Sequence, residues 1–507
     1  MNKNEIRLQY SGFIIFISQV LSIITGLVFT LLLTRNMNTN EYGIWTNIFD
    51  YAGYFMLFSG ILPFWATRFM ARGKEGTVKT SSLGQFSIAL AATVIYLPVI
   101  VMISRAIGTQ AYLLIYLISG LYIFNYYMVA VFESVLRSIK PQAIGYGLLV
   151  EEVVKVAVAL LLIVGFGQLF LGAILALVIS SGIQVLYYAK VLGDEFRQKV
   201  NWSYLKEWIK GSAAIAYNAI GAQLISFVLI FLFLYGGSET RAYYQAAFTF
   251  TNIIGFSSSL AFAVYPKLLA NACPDKEVGV SFRTVLMLAI PLSTLTIVLS
   301  SSFLTILNVS YNIAWPVLIA LAIDTLIGLI VSFYTSCLMG AEAFEAEGKI
   351  SLRKLVRSKI FSVFSISYIQ AAIALPLVYF VLADLGVAGS VQAVVYVISI
   401  MIGVHLSTFI GFYWLMRGSI KLPVAWKSIA KYILASGFMG IVLFLLPNTS
   451  TLFLTISKAI LGFAIYSSLL LVIDEQARTI VRLIWAEIKG TLSQFKVRNV
   501  SGEKGVE

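Results

Sequence analysis

The apolar stretch at residues 142–165 is broken by three charged side chains, Glu151, Glu152 and Lys155. Spacings of i,i+4 from Glu151 and i,i+3 from Glu152 put either carboxylate on the same helix face as the lysine, where they can pair. One lysine cannot neutralise two carboxylates, so a second partner or a proton is called for. At about 1.5 Å per residue, Glu151 stands roughly 15 Å into the stretch, near the middle of a bilayer. A charge at that depth costs roughly 2.5–3.5 kcal/mol on insertion scales, so such groups face a bundle interior, a watery cavity or each other. Asp324 offers similar chemistry in the middle of PVLIALAIDTLIGLIVSF, with no cation on its own stretch. An isolated carboxylate there is protonated, paired across helices or lining water. Asp50 lies in the outer third of its stretch. Glu151, Glu152 and Asp324 serve equally well in an internal ion pair or as part of a substrate or ion site, whereas Asp50 reads either as a plain interfacial residue or as part of such a site.

Other polar groups within apolar stretches carry less. Gln19, Asn218, Gln223, Gln245, Asn252 and Gln370 can glue helices together or meet sugar hydroxyls. Lys458 can snorkel to the interface. Glu133 ends a helix and reads as structural. His405, the only histidine, reads as a packed residue, with a proton switch as the alternative.

The elements that must hold these groups are helices. The chain is 59% hydrophobic and 12% charged, with a mean hydropathy of +0.90. Fourteen apolar runs account for it, at 11–34, 44–66, 82–104, 111–134, 142–165, 168–190, 212–235, 242–266, 284–307, 313–337, 360–383, 387–416, 429–447 and 450–473. Each is long enough to span the roughly 30 Å hydrocarbon core, and lipid leaves the backbone no partner but itself, which helices satisfy. The runs are too continuously apolar for barrel strands. The first is too long for a cleaved signal peptide and ends in Arg35 rather than a small-residue site.

Lys and Arg orient the chain. Of 36 such residues, only Arg35, Arg105 and Arg241 fall in loops on one side and Lys155 and Lys458 within runs; the other 31 share the opposite side with both termini. That side is expected to be the cytoplasm, in a multi-pass protein of the cell membrane. The net charge of +13 is thus a topology signal scattered over many short segments and not a nucleic-acid footprint. Cys273 and Cys337 lie near the same face, where a disulfide is not expected, and two cysteines with one histidine do not make a tetrahedral metal site. No cofactor is implied.

The loops exclude most enzymes. Outside loops are short, and the longest inside segments, 191–211 and 338–359, hold no domain. There is no GxxxxGK[ST] phosphate loop and no GxSxG elbow. Four N-x-S/T sequons divide evenly between the two sides and carry no information.

A repeat is visible at a six-helix offset. Ser11 opens the first run and Ser212 the seventh; Tyr42 follows the one and Tyr243 the other by 31 residues, with a Glu and an Arg before each tyrosine. An even offset makes the halves parallel, and repeated halves with a site between them are a common transporter plan. The expected division is an N-terminal six-helix lobe at 1–190, a cytoplasmic linker at 191–211, a second six-helix lobe at 212–416, an extra helix pair at 417–473 and a basic cytoplasmic tail at 474–507.

Arg35 with Glu41-Tyr42-Gly43 resembles the R-x-L-x-x-x-E-Y-G turn of the polysaccharide transporters, or O-antigen-type flippases, of the multidrug/oligosaccharidyl-lipid/polysaccharide (MOP) exporter superfamily, with Met37 in place of Leu. Thr67-Arg68-Phe69-Met70-Ala71-Arg72 is similar to that family's R-x-x-A-R segment, and Tyr265-Pro266-Lys267 to its F-P-K ending. The resemblance implies two lobes about a central cavity that opens alternately to the two faces. It implies a polyprenyl-pyrophosphate-linked oligosaccharide as cargo, turned from the cytoplasmic to the outer leaflet, and partners among the glycosyltransferases or polymerase of a glycan pathway. A coupling ion, H+ or Na+, fits the same plan. The pyrophosphate wants cations; Lys155, Arg35 and Arg241 are the candidates, with Asp50, Glu151, Glu152, Gln223 and Asp324 completing the cavity set. Competing readings are a cation-coupled multidrug antiporter of the same superfamily, a membrane glycan ligase or glycosyltransferase, and a non-transporting scaffold.

Overall fold

The computed structural model describes residues 3–255, 257, 275–341, 359–384, 391–416, 426–447, 451–475, 477–479 and 482. Every regular element among them is helical. In chain order these are α1 (Lys3–Asn36), α2 (Thr39–Phe55), α3 (Ile61–Ala71), α4 (Thr77–Ala106), α5 (Leu113–Ile139), α6 (Gln142–Ala159), α7 (Leu169–Val191), α8 (Trp202–Gly211), α9 (Ala213–Ile225), α10 (Phe227–Gly236), α11 (Ser238–Gly255), α12 (Asp275–Val298), α13 (Ser300–Leu307), α14 (Trp315–Ala341), α15 (Lys359–Asp384), α16 (Val391–Met416), α17 (Trp426–Leu445) and α18 (Leu452–Ile473).

Eleven stretches among the described residues are long and apolar enough to cross a membrane, which makes this a multi-pass membrane protein. The other three expected runs differ for local reasons. The run at 44–66 is broken at 56–60, so α2 and α3 are each too short alone. The run at 142–165 holds the three charges in α6 and then widens into a π-type turn at Leu160–Gly165. The run at 242–266 is helical to Gly255, and its remainder lies outside the described residues.

The helices pack as two groups. In the first, α1 lies on α6, α6 on α7, α4 on α5, and α5 on α3 and α7. In the second, α14 lies on α11, α12 and α16, α15 on α9, α10 and α16, and α17 on α12 and α18. They meet where α2 crosses α11 and α10, and where α1 touches α13. That meeting lies toward one end of the bundle, called here the distal end, where α1 gives way to α2 and where Gly237, at φ +92°, turns α10 into α11. An L side chain is strained at that φ, and glycine is not.

The segment joining the groups is more than a tether. Its helix α8 is capped by Asn201, whose side chain accepts from the Ser203 amide. Trp208 is fully buried against Leu62 and Phe69, and Trp65 donates from Nε1 to Ser212 Oγ at 3.0 Å. Glycine is needed at 211, since a Cβ there would collide with the Trp65 ring.

Candidate functional site

Three polar constellations are embedded among the apolar helices. The first joins α1, α6 and α7. Lys155 Nζ lies 2.7 Å from Glu152 Oε2 and 3.6 Å from Glu151 Oε1. The α-helical turn makes both distances available, as the spacing requires. What the spacing does not reveal is who else serves the carboxylates. Ser22 Oγ donates to Glu152 Oε1 at 2.6 Å, Thr25 Oγ1 donates to Glu152 Oε2, and Ser180 Oγ reaches Glu151 Oε1 at 3.4 Å. Ser22 and Thr25 stand three apart on one face of α1. Glu152 is therefore satisfied on both oxygens, with 4% of its side chain exposed, while Glu151 has 15% exposed and the weaker bonds.

The second constellation closes the distal end. Arg241 on α11 grips Asp50 on α2 with both arms of its guanidinium, Nε to Oδ2 at 2.7 Å and Nη2 to Oδ1 at 2.9 Å. The side chains are 3% and 7% exposed. Its remaining arm donates to Gln245 Oε1 at 3.1 Å, and the guanidinium carbon lies 5.5 Å from the Tyr244 ring centroid. A bidentate, charge-assisted pair of this kind is the strong form of ionic contact, and this one bridges the two helix groups. Arg35 lies at the same end of the bundle, at the C-terminus of α1. It is exposed and donates to the carbonyl of Ile306, at 3.4 Å from Nε and 3.1 Å from Nη2. That carbonyl belongs to the last turn of α13, where unpaired acceptors and the helix dipole welcome a cation.

The E-Y-G motif serves this closure residue by residue. Glu41 completes a capping box with Asn38 that starts α2. Tyr42 is buried edge-on to Tyr311 at 6.0 Å, and Tyr243, its counterpart in the repeat, meets the same ring at 6.4 Å. Gly43 lets α2 and α11 touch, because a Cβ there would collide with the Ser238 carbonyl. Arg35 and Arg241 do not occupy matching positions, although both sit at the distal end. Arg35 finishes α1, whereas Arg241 lies in the first turn of α11, one helix later. The tyrosine offset of 201 places Arg241 opposite Asn40, and Asn40 accepts from Ser238 Oγ across the same seam.

Gln223 also belongs to the seam. Its carbonyl accepts from the Tyr54 hydroxyl at 3.2 Å, and its amide nitrogen lies 3.3 Å from where a Gly53 Cβ would stand.

The third constellation is Asp324 on α14 with His405 on α16, Oδ1 to Nδ1 at 2.7 Å. Their side chains are 15% and 22% exposed. Asp324 thus finds its partner across helices. His405, read from sequence as a packing residue, supplies it. The signal was present in its depth within a long apolar run, but nothing in the sequence linked positions 81 apart. Lys458 donates to the Pro447 carbonyl, and Gln370 donates to Thr408 Oγ1 at 2.8 Å.

The R-x-x-A-R-like segment ends α3, with Arg68 over the Phe64 ring at 3.4 Å. Cys337 is buried. Tyr265-Pro266-Lys267, Cys273 and most of the 338–359 loop lie outside the described residues.

No family model and no curated protein matches the sequence. Solved structures do match. The chain is similar to the lipid II flippase MurJ in an inward closed conformation, at 16% identity and TM-score 0.63, over 90% of this chain and 99% of that one. It is similar to an inward-facing multidrug resistance MATE family transporter of the MOP superfamily, at 13% identity and TM-score 0.58, over 78% and 93%. A MATE structure in complex with MaL6 gives 13% identity and TM-score 0.55, over 81% and 94%. At these identities the shared property is the fold, and that fold, reached from Arg35, the E-Y-G turn and the repeated tyrosines, is the one seen in the transporters of the MOP exporter superfamily.

Proposed function

We propose that the chain is a transporter that turns a polyprenyl-(pyro)phosphate-linked oligosaccharide from the cytoplasmic to the outer leaflet for assembly of a surface glycan. The observation that carries this reading is the match to the lipid II flippase over 90% of the chain, against 78–82% for the MATE transporters. In this reading the protein has fourteen spans. Residues 1–190 and 212–416 are two six-helix lobes, 417–473 is an appended pair, the termini are cytoplasmic, and the distal end is the outer face. The seam of Asp50, Arg241, Arg35 and the tyrosines is then the closed outer gate of an inward-oriented state. The lipid tail stays in the bilayer while the sugar head follows the polar lobe interface. The phosphates require a cation, and Arg35, exposed and held by a single carbonyl, is the one most easily drawn onto an anionic cargo. The protein breaks no bond in the cargo; glycosyltransferases or a polymerase act before and after it.

One observation favours a second reading. Within the three constellations the acids Asp50, Glu151, Glu152 and Asp324 outnumber the strong bases Lys155 and Arg241 by four to two, and a surplus of acid suits a cation-coupled antiporter of organic cations. Proteoliposomes separate the two. With purified protein, a fluorescent polyprenyl-diphosphate oligosaccharide placed in the inner leaflet is expected to become accessible to an external glycosidase, while an organic cation dye is not moved by a pH or Na+ gradient. Dye movement without glycan exposure overturns the proposal in favour of the antiporter.

A further inference from the structure

We propose that the neutral amides Gln19, Asn218 and Asn252, with the exposed rings of Phe58 and Phe248, form a site for the uncharged sugar units of the cargo, level with the break between α2 and α3; this rests on the glycolipid reading above. The three amides lie within apolar stretches, are exposed, and have no side-chain hydrogen-bond partner among the described residues. An exposed amide at membrane depth faces a watery cavity and not lipid. The site draws on both helix groups at one level. Gln19 stands 17 residues before Asn36 at the distal end of α1, Phe58 stands 19 beyond Thr39, Asn218 18 before Gly236 and Asn252 14 beyond Ser238. At about 1.5 Å per residue all four lie about 21–28 Å from the distal end.

Helix faces agree with the level. Asn252 shares the face of α11 that carries Arg241, three turns beyond the grip on Asp50. The same eleven residues counted from Asp50 reach Ile61, just past the break. On α9, Gln223 meets Tyr54 and Ser212 meets Trp65, so α9 runs antiparallel to α2 and α3 and sets Asn218 level with Ser59. That helix has two exposed strips. Ala213, Ile220 and Leu224 form an apolar one suited to lipid, and Asn218 with Ala222 lies on the other side. On α1 the exposed Ile17, Val20 and Ile24 form the lipid strip, and Gln19 stands off it, toward Ser22 and Gly26.

The break adds further donors. Its Phe55 and Ser59 carbonyls accept from Tyr127 and Gln85, each at 2.8 Å, and its Ser59 and Ile61 amides donate to the Met56 and Phe58 carbonyls. The amides of Leu57, Phe58 and Gly60 donate to nothing among the described residues. Irregular backbone at membrane depth is tolerated where protein or a water-filled cavity serves it, and with Phe58 39% exposed and Gly60 exposed it is the cavity here. A side-chain amide both donates and accepts, as a sugar hydroxyl does, whereas a phosphate only accepts and is served by cations. Lys155 and Arg241 are already engaged by Glu152 and Asp50, so the amide level suits neutral sugar units. Phe248 stands one turn before Asn252 on the same face, stacked on Tyr244. Its ring and that of Phe58 offer apolar faces to the C–H side of a pyranose.

The test uses the full chain in liposomes, with Cys273 and Cys337 replaced by serine. Spin labels at Asn36→Cys and Val309→Cys, on opposite sides of the seam, report whether a variant keeps the closure. Thiolate forms in water and not in lipid, so Asn218→Cys and Asn252→Cys are expected to react with a charged thiol reagent about tenfold faster than Ile220→Cys on the lipid strip. Binding is measured with two probes, the polyprenyl-diphosphate oligosaccharide isolated from the cells that make the protein and the same polyprenyl diphosphate without sugar. The unsubstituted chain is expected to hold the glycosylated lipid the more tightly. Gln19→Ala, Asn218→Ala and Asn252→Ala each weaken its binding about 3–10-fold, the worth of one hydrogen bond, and leave the bare lipid and the seam labels unchanged. The proposal is overturned if Asn218→Cys and Asn252→Cys react no faster than Ile220→Cys, or if the alanine variants lose both probes equally or neither. An unsubstituted chain that holds both lipids equally keeps the lipid cargo and overturns the sugar site; one that binds neither rejects the glycolipid reading, and the site with it.

Discussion

The Lys155 cluster and the Asp50–Arg241 pair are both buried ion pairs, yet they do opposite work. Lys155 pairs with acids three and four residues away on its own helix, and the hydroxyls that complete the cluster come from α1 and α7 of the same group. Nothing in it needs to part when the groups move. Arg241 and Asp50 are 191 residues apart and belong to different groups, so they must separate whenever the distal end opens. A pair within a group stiffens it; a pair between groups would switch in the proposed transport cycle.

Mutations sharpen this contrast. Arg241→Ala leaves Asp50 buried without a cation and is expected to cost about 3–5 kcal/mol, read as lowered thermal stability in detergent. Asp50→Asn added to it restores a large part, because the stranded charge is gone. Lys155→Met is expected to cost less, about 1–3 kcal/mol, since the Ser22 and Thr25 hydroxyls still serve Glu152. It leaves the seam labels where they are, and a shift in them breaks the distinction between the two pairs. Gly43→Ala pushes a methyl group into Ser238 and costs about 1–3 kcal/mol, all of it in the closed state. Labels across the seam therefore report opening with little change within either group. Ser180→Ala removes a 3.4 Å contact to Glu151 and a 3.2 Å bond to the Leu177 carbonyl and lowers stability by about 1 kcal/mol.

The contrast also explains what the sequence could convey. Helical runs, their polarity and the 151–155 pairing are written at short range, as periodicity or as i,i+4 spacing, so they can be read directly. Arg35 and the E-Y-G motif resemble a family turn without revealing its purpose; only the approach of α11 explains why position 43 lacks a side chain. Asp50 with Arg241 and Asp324 with His405 depend on which helices become neighbours, and no local pattern carries that. The break at 56–60 was equally hidden, because its residues are as apolar as those around them. The α8 helix is too short and too polar to span and so reads as part of a linker, although Trp208 and Trp65 seat it firmly.

That seating has a mechanical consequence. With α8 fastened to α3 and Trp65 holding Ser212, the covalent passage between the two groups is seated on the first group as far as Ser212, at the end of the bundle opposite the seam. From Ala213 to Gly236 the chain runs 24 residues, an arm of about 36 Å at about 1.5 Å per residue. A hinge needs only a few residues to absorb a rotation, and about 10° at the foot of such an arm carries its tip some 6 Å, roughly one helical turn. In the proposed transport cycle, a small torsion beside Trp65 would be geared up into a displacement large enough to part Arg241 from Asp50.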